Sequence, residues 1–295
     1  MEVGQSSVEL SQTPFFPQQQ YQCGPAALAM ALSSSGATVD LEDLVDRVYL
    51  PGRQGSLQVE MLAATRMSGR VPYVIDGAVR VLWEELSAGR PVVVLQNLGI
   101  AAIPRWHFAV VVGIDTDREV VILRSGVDQR RLTSLTTFLR TWRRSNFWGF
   151  VVLRPNELPT GVDQLRYLKA VAALESAGRN DEAVAAWRAA LQEWPNNSVA
   201  LFGLGNTLLA AGDNVSAEGY FRAMLKSDPV STAARNNLAM ALAGQARHEE
   251  ALREIAIALG DNTDPALERE LRDTETVIVK MSRQEKIGEQ VEHQE

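Results

Sequence analysis

Cysteine is nearly absent from this chain, with one residue, Cys23, in 295. A single thiol excludes an internal disulfide and any zinc site built on cysteine. Histidine is almost as scarce at three residues, which argues against a transition-metal site made only of protein ligands, and no metal or cofactor is expected. No apolar run approaches the roughly 20 residues that a membrane-spanning helix needs. The opening residues, MEVGQSSVELSQTP, have neither a basic start nor an apolar stretch, so the cytoplasm is the expected compartment. What remains is the make-up of a globular protein, 46% hydrophobic and 22% charged, with length enough for two cores.

Lysine is missing until Lys169, and charge is unevenly spread. Through Pro155 there are 15 Arg against 14 acidic residues, a balance of +1. The remainder carries 14 basic and 22 acidic residues, a balance of −8, so the whole chain stands at −7. An acidic second half disfavours nucleic acid and suits a basic or neutral protein partner.

From Gln164 the sequence repeats every 34 residues: Trp187, Phe221 and Ile255 are in step, as are Ala183, Ala217 and Ala251. Pro195 pairs with Pro229, and Gly178 with Gly212. This pattern resembles tetratricopeptide repeats, helical hairpins whose apolar faces are buried only by stacking on their neighbours. Three units are expected over 164–260, the third carrying Ala246 where the others have glycine, followed by a capping helix over 266–281. The stretch 282–295 lacks apolar periodicity and reads as a disordered tail.

The first half has a different texture. Helical periodicity covers 23–33, 41–48, 57–67 and 135–141. Between and after these lie β-branched runs bounded by breakers: VPYVI, PVVVLQ, HFAVVVGID, EVVILRS and WGFVVLR. Helices followed by an antiparallel sheet make an α+β domain over 14–155, with 1–13 as an extension and the Pro- and Gly-containing 156–163 as a linker.

Two residues in this half can carry chemistry. Cys23 opens a helix with Gly24 and Pro25 behind it, where the free N–H groups and the macrodipole favour a thiolate. His107 opens a strand about 80 residues later and can take and return a proton. This pairing is similar to the division of labour in papain-like enzymes. A lone cysteine is more often a buried, inert apolar residue, so the surrounding motif decides the reading.

PQQQYQCGPAALAMAL followed by WHFAVVVGID resembles family 39 of the cysteine peptidases over 14–154. These papain-like enzymes are best known for cutting bacteriocin leader peptides after a double glycine. A bacterial subgroup joins such a domain to tetratricopeptide repeats. The resemblance implies Cys23 as nucleophile, His107 as general base, cleavage after a small residue, and a cell-envelope setting if the start has been trimmed. It also implies a glutamine six residues before the cysteine as oxyanion donor, but Pro17 stands there. Gln18 is the expected substitute, with Gln19 next, alongside the Cys23 amide. The aspartate that orients the family's histidine is replaced, at the equivalent position, by Ser125.

Hairpin geometry tests the alternatives for that third position. A turn near 116–118 places His107 opposite 125–128, so Ser125 or Asp128 is the candidate. Asp115 shares the face of His107 but lies about 26 Å along the strand, too far to orient the ring. Trp106 beside His107 could shield the site from water, but the core is its expected place. Arg130, Arg131, Arg140, Arg143 and Arg144 form a basic cluster that could bind phosphate or an acidic peptide, and a solvated edge is the expected reading. Ser56 or Gln58 lines a cleft, and His248 sits on the surface of a repeat helix.

The leading expectation is a cysteine peptidase acting on a peptide or protein brought in by the repeats, using neither ATP nor nucleic acid. The alternatives are a non-catalytic peptide-binding module on a degenerate peptidase fold, and acyl transfer to an amine in place of water.

Overall fold

The structure, a computed structural model, describes residues 6–18, 22–100 and 102–292, with side chains through 285. The chain divides into two compact units, Met1–Glu182 and Ala183–Glu295.

The first unit is built on α1 (Cys23–Ser34) and a seven-stranded antiparallel sheet. The strands are β1 (Ser7–Glu9), β2 (Val71–Val74), β3 (Val92–Asn97), β4 (Trp106–Asp115), β5 (Val120–Ser125), β6 (Asp128–Ser134) and β7 (Gly149–Leu153). Their order is β2-β7-β3-β4-β5-β6. β4 is the axis of the sheet. Along one edge it pairs with β3 from Trp106 to Val111 and then, beyond a bulge, with β1 from Gly113 to Asp115. Residues 7–9, expected in an extension, therefore belong to the sheet. Their run SVE is too short to register as a strand by periodicity.

Helix α1 is buried almost all round: every residue from Gly24 to Leu32 is buried. Leu28, Met30 and Leu32 pack with Val93, Phe108, Val110, Val112 and Phe150 of the sheet. On its other side α1 meets α2 (Leu41–Val48) and α3 (Gln58–Met67). Each such large side chain removed from water contributes about 1.5–3 kcal/mol. Because the helix is clamped on both sides, the position of Cys23 at its first turn is set by the core.

The stretch 156–163, expected as a linker, is tied to this unit. The carboxylate of Glu85, in α4 (Val79–Ser87), is fully buried. It accepts from the Thr160 amide at 2.7 Å and from Arg90 Nε at 2.5 Å, while Arg90 also reaches the Thr160 hydroxyl at 2.8 Å. Helix α6 (Gln164–Ser176) continues the attachment. Its Arg166 donates to the Val74 carbonyl and pairs with Asp76, and Tyr167 donates to the Glu157 carbonyl. Proline and glycine mark a bend here, and a buried carboxylate fixes it.

The second unit holds most of α7 (Asn180–Glu193), then α8 (Ser198–Ala210), α9 (Asn214–Ser227), α10 (Thr232–Ala243), α11 (His248–Asp261) and α12 (Pro265–Glu292). The 34-residue frame is visible in the turns. Gly178 and Gly212 adopt φ of +75° and +81°, and Ala246, at the third equivalent position, is forced to +60°. Trp187, Phe221 and Ile255 are all buried, as the spacing requires.

Two expectations need correction. The tail over 282–295 continues α12 as helix to Glu292, and its last three residues lie outside the described ones. Arg, Gln, Glu and Lys are good helix formers, and extending an established helix is cheap even without an apolar stripe. His248 is buried, with Nε2 at 2.9 Å from Glu285 of that same extension.

Two stability outcomes follow. Glu85→Ala leaves Arg90 and the Thr160 amide without their partner, and urea unfolding is expected to show a loss of about 3 kcal/mol in the first unit. Ala246→Gly relieves a left-handed alanine and is expected to raise the stability of the repeats by about 1 kcal/mol, read from the thermal midpoint.

Candidate active site

Cys23 is the first residue of α1, and Gln22 before it makes no side-chain cap, so the first-turn amides stay available. Gly24 is required by crowding, since a Cβ there would stand 2.3 Å from the Ser56 hydroxyl oxygen. His107 is the second residue of β4, one step before the buried Phe108. Cys23, His107 and Gln18 line one cleft of about 900 Å³, together with Ser56, Gln58 and Trp106.

The main chain of Phe108 joins the parts. Its N–H lies against the Cys23 sulfur, as do the amides of Gly24 and Cys23 itself. Its carbonyl accepts from Gln18 Nε2 at 3.5 Å. Gln18 is held from behind as well, its own amide donating to the Gly126 carbonyl at 3.1 Å. Gln19 lies outside the described residues.

His107 Nε2 is 2.8 Å from the Ser125 hydroxyl. Ser125 is buried, whereas Asp128 is exposed and faces Arg131 at 3.8 Å. The two candidates are thereby separated: the hydroxyl meets the ring and the carboxylate is directed elsewhere. β4 and β5 pair from Asp115 opposite Val120 to Val110 opposite Arg124, and pairing stops there. A register shift between Leu123 and Ser125 on the β6 side accompanies the turn that presents Ser125. Asp115 sits at the far end of the hairpin, its carboxylate accepting from the Arg118 amide.

The electrostatics set the resting state. Burial pushes the Cys23 thiol above its ordinary pKa, and the three surrounding amides offset this only in part. His107 is pushed down to about 4, first by burial and then by the Arg131 guanidinium. At neutral pH the site therefore holds a neutral thiol and a neutral imidazole. A hydroxyl behind the ring, unlike a carboxylate, adds no negative charge to stabilise an imidazolium.

Trp106 corrects the sequence reading. Expected in the core, it is 54% exposed and forms part of the cleft wall, at the start of β4. Arg144 is exposed, as expected of a solvated edge, and in addition donates to the carbonyls of Asn97 and Gly99 and lines the cleft. Arg53 and Arg105, which sequence reasoning passed over, line it too. Their loop positions gave no periodic signal. Among the described residues there is no cluster of three metal-ligating side chains, and no helix is long and apolar enough to cross a membrane.

Residues 10–149 match the Peptidase_C39 like family, and residues 167–232 and 202–265 match the tetratricopeptide repeat family. The chain thus carries a C39-like peptidase domain followed by tetratricopeptide repeats. None of the curated proteins compared with it matches. Among solved structures it is similar to a putative C39-like peptidase from Bacillus anthracis, with 18% identity over 53% of this chain and 100% of that one, at a TM-score of 0.43. It is also similar to a double glycine motif protease from an AMS/PCAT transporter in complex with the leader peptide. That match has 19% identity over 51% of this chain and 94% of the other, at a TM-score of 0.36. The repeats are similar to MamA from Desulfovibrio magneticus RS-1, with 18% identity over 41% and 77% of the two chains, at a TM-score of 0.34.

The resting state has a measurable signature. Iodoacetamide alkylates the thiolate, so in native protein the rate at Cys23 is expected to keep rising with pH past the ordinary cysteine value of about 8.5. Ser125→Asp places an anion beside Nε2, raises the His107 pKa and lets the resulting imidazolium hold a thiolate. Its alkylation at pH 7 is expected to be at least about tenfold faster than wild type. Equal rates in the two proteins at pH 7 would remove Ser125 from the site.

Proposed function

We propose that the first unit is a slow cysteine peptidase acting on a peptide segment laid in the cleft. The observation that carries this reading is the Phe108 main chain, whose amide opposes the rise in the Cys23 thiol pKa and whose carbonyl accepts from Gln18 Nε2 at 3.5 Å, next to His107 in the chain. With Nε2 turned to Ser125, the other ring nitrogen of His107 is the base.

In the first step Sγ bonds to the scissile carbonyl carbon as its proton passes to that nitrogen. The carbonyl oxygen becomes an oxyanion held by the Cys23 amide and by Gln18, which exchanges its long contact with Phe108 for a charged acceptor. The C–N bond then breaks and the imidazolium returns its proton to the leaving amine. A water deprotonated by His107 attacks the thioester carbon, releasing the new carboxyl end and the thiol. Both groups start neutral, so each attack must build its charge pair without a resident carboxylate. This is the physical reason for slow turnover.

The tetratricopeptide repeats serve, in this reading, as the element that recruits a protein carrying the substrate segment. A second reading is favoured by Ser125 itself: without a carboxylate behind the histidine, the cleft binds a peptide and does not cut it.

Digestion of a mixed peptide library, followed by mass spectrometry of the new termini, separates the two. The peptidase reading expects cleavage that disappears in Cys23→Ala and falls by about 10²–10⁴ in His107→Ala. Ser125→Asp is expected to accelerate it. If no terminus depends on Cys23 in either the wild type or Ser125→Asp, the peptidase reading fails and the binding reading stands.

A further inference from the structure

The cleft around Cys23 carries positive charge. Arg53, Arg105 and Arg144 line it, and no Asp or Glu is among the described residues of its lining. The guanidinium groups of Arg53 and Arg105 have no hydrogen-bond or ion-pair partner among the described residues; the same is true of Arg118, Arg140 and Arg143, but those three do not line the cleft. An exposed arginine without a partner inside a concave site is available to a ligand.

The positions of these groups are built into the fold. Asn97, at the end of β3, accepts through its side chain from the amides of Gly99 at 3.0 Å and Arg105 at 2.9 Å. The Leu98 amide donates to the Arg105 carbonyl, closing the loop into a hairpin. Arg144 clamps the same loop through the Asn97 and Gly99 carbonyls, so its charge is fixed at the wall. On the other side Arg53 ends a 3-10 turn, Pro51–Arg53, closed by a bridge between Leu50 and Gly55. Two short, tied loops thus hold arginines over a cleft that also contains the thiol.

We infer that this cleft selects peptide segments bearing acidic side chains near the bond it addresses, with Arg53 and Arg105 as the specificity-determining residues and Arg144 as a fixed cationic wall. The inference rests on the cleft being the peptide site of the preceding reading and names its substrate class. Carboxylates suit these groups because guanidinium forks pair with them through two charge-assisted hydrogen bonds. Nucleic acid is the lesser fit. Among the described residues of the lining Trp106 is the one exposed aromatic, and a single ring offers no platform for successive stacked bases. An acidic side chain also acts on the chemistry, since it counters the positive field that Arg131 imposes on His107.

Binding to the full-length Cys23→Ala protein tests this without requiring any turnover. The probes are three dodecapeptides carrying a neutral dye, alternating Ala with Glu, Gln or Lys, followed by fluorescence anisotropy at low salt. The Glu peptide is expected to bind about tenfold tighter than the Gln peptide, as two exposed charge pairs would give. The advantage is expected to shrink severalfold at 0.5 M salt, as screening requires. Arg53→Glu combined with Arg105→Glu is expected to reverse the order in favour of Lys. Both positions are exposed and without a side-chain partner among the described residues, so the double variant keeps the fold. Equal binding of Glu and Gln peptides, or an unchanged order in the double variant, overturns the inference. So does tighter binding of a twelve-residue oligothymidylate than of the Glu peptide. A Glu preference in a protein that cleaves neither as wild type nor as Ser125→Asp would sink the peptidase reading and leave this one intact.

Discussion

Burial of α1 between the sheet and the helices α2 and α3 is the constraint on which the rest of the first unit depends. A helix that is apolar on all sides cannot slide or roll without exposing part of its surface, so its first turn becomes a fixed point. Cys23 inherits that fixity although it contributes little to the core. β4 is pinned in the same way by β3, β5 and β1, and His107 inherits its position from Phe108, the next residue inward. Two reactive side chains are thus placed by the apolar neighbours that follow them in the chain. Precision at the site comes from packing a few ångströms behind it.

The same burial has an electrostatic cost. Removing water from the thiol and the imidazole raises one pKa and lowers the other, so the core that aligns the pair also keeps both members uncharged. A carboxylate behind the ring would offset this, and Ser125 supplies only a dipole. The positive lining of the cleft makes incoming negative charge valuable in two ways, as a recognition element and as a counter-field for the imidazolium.

Much of this architecture was legible in the residues. The 34-residue period was plain because each repeat reuses the same local contacts, down to the turn where Ala246 must imitate glycine. The helices over 23–33, 41–48, 57–67 and 135–141 and the five apolar strands could be read from periodicity, whereas α4 over Val79–Ser87 was missed. β6 could not: DQRRLTS is exposed on nearly every residue and is held by backbone pairing with β5, which leaves no apolar trace. The helix to Glu292 was missed because its composition favours helix while its surface lacks a stripe. At the site, Cys23 and His107 stood out by rarity. Ser125 and Asp128 could not be told apart, because a single shifted register decides which of them meets the ring. Arg53 and Arg105 sit in loops, where position follows from closure and not from any repeat in the sequence.

The tip of the β5–β6 hairpin holds two parts of the site at once. Ser125 meets His107, and the adjacent Gly126 carbonyl holds the amide of Gln18. In evolutionary terms this tip is a single point of failure. One insertion there would remove both the ring partner of His107 and the hold on Gln18, while Cys23 and His107 kept their places in the sequence. A relative retaining the visible cysteine and histidine can therefore lack the arrangement around them, and the length of this turn is the feature by which to sort such chains.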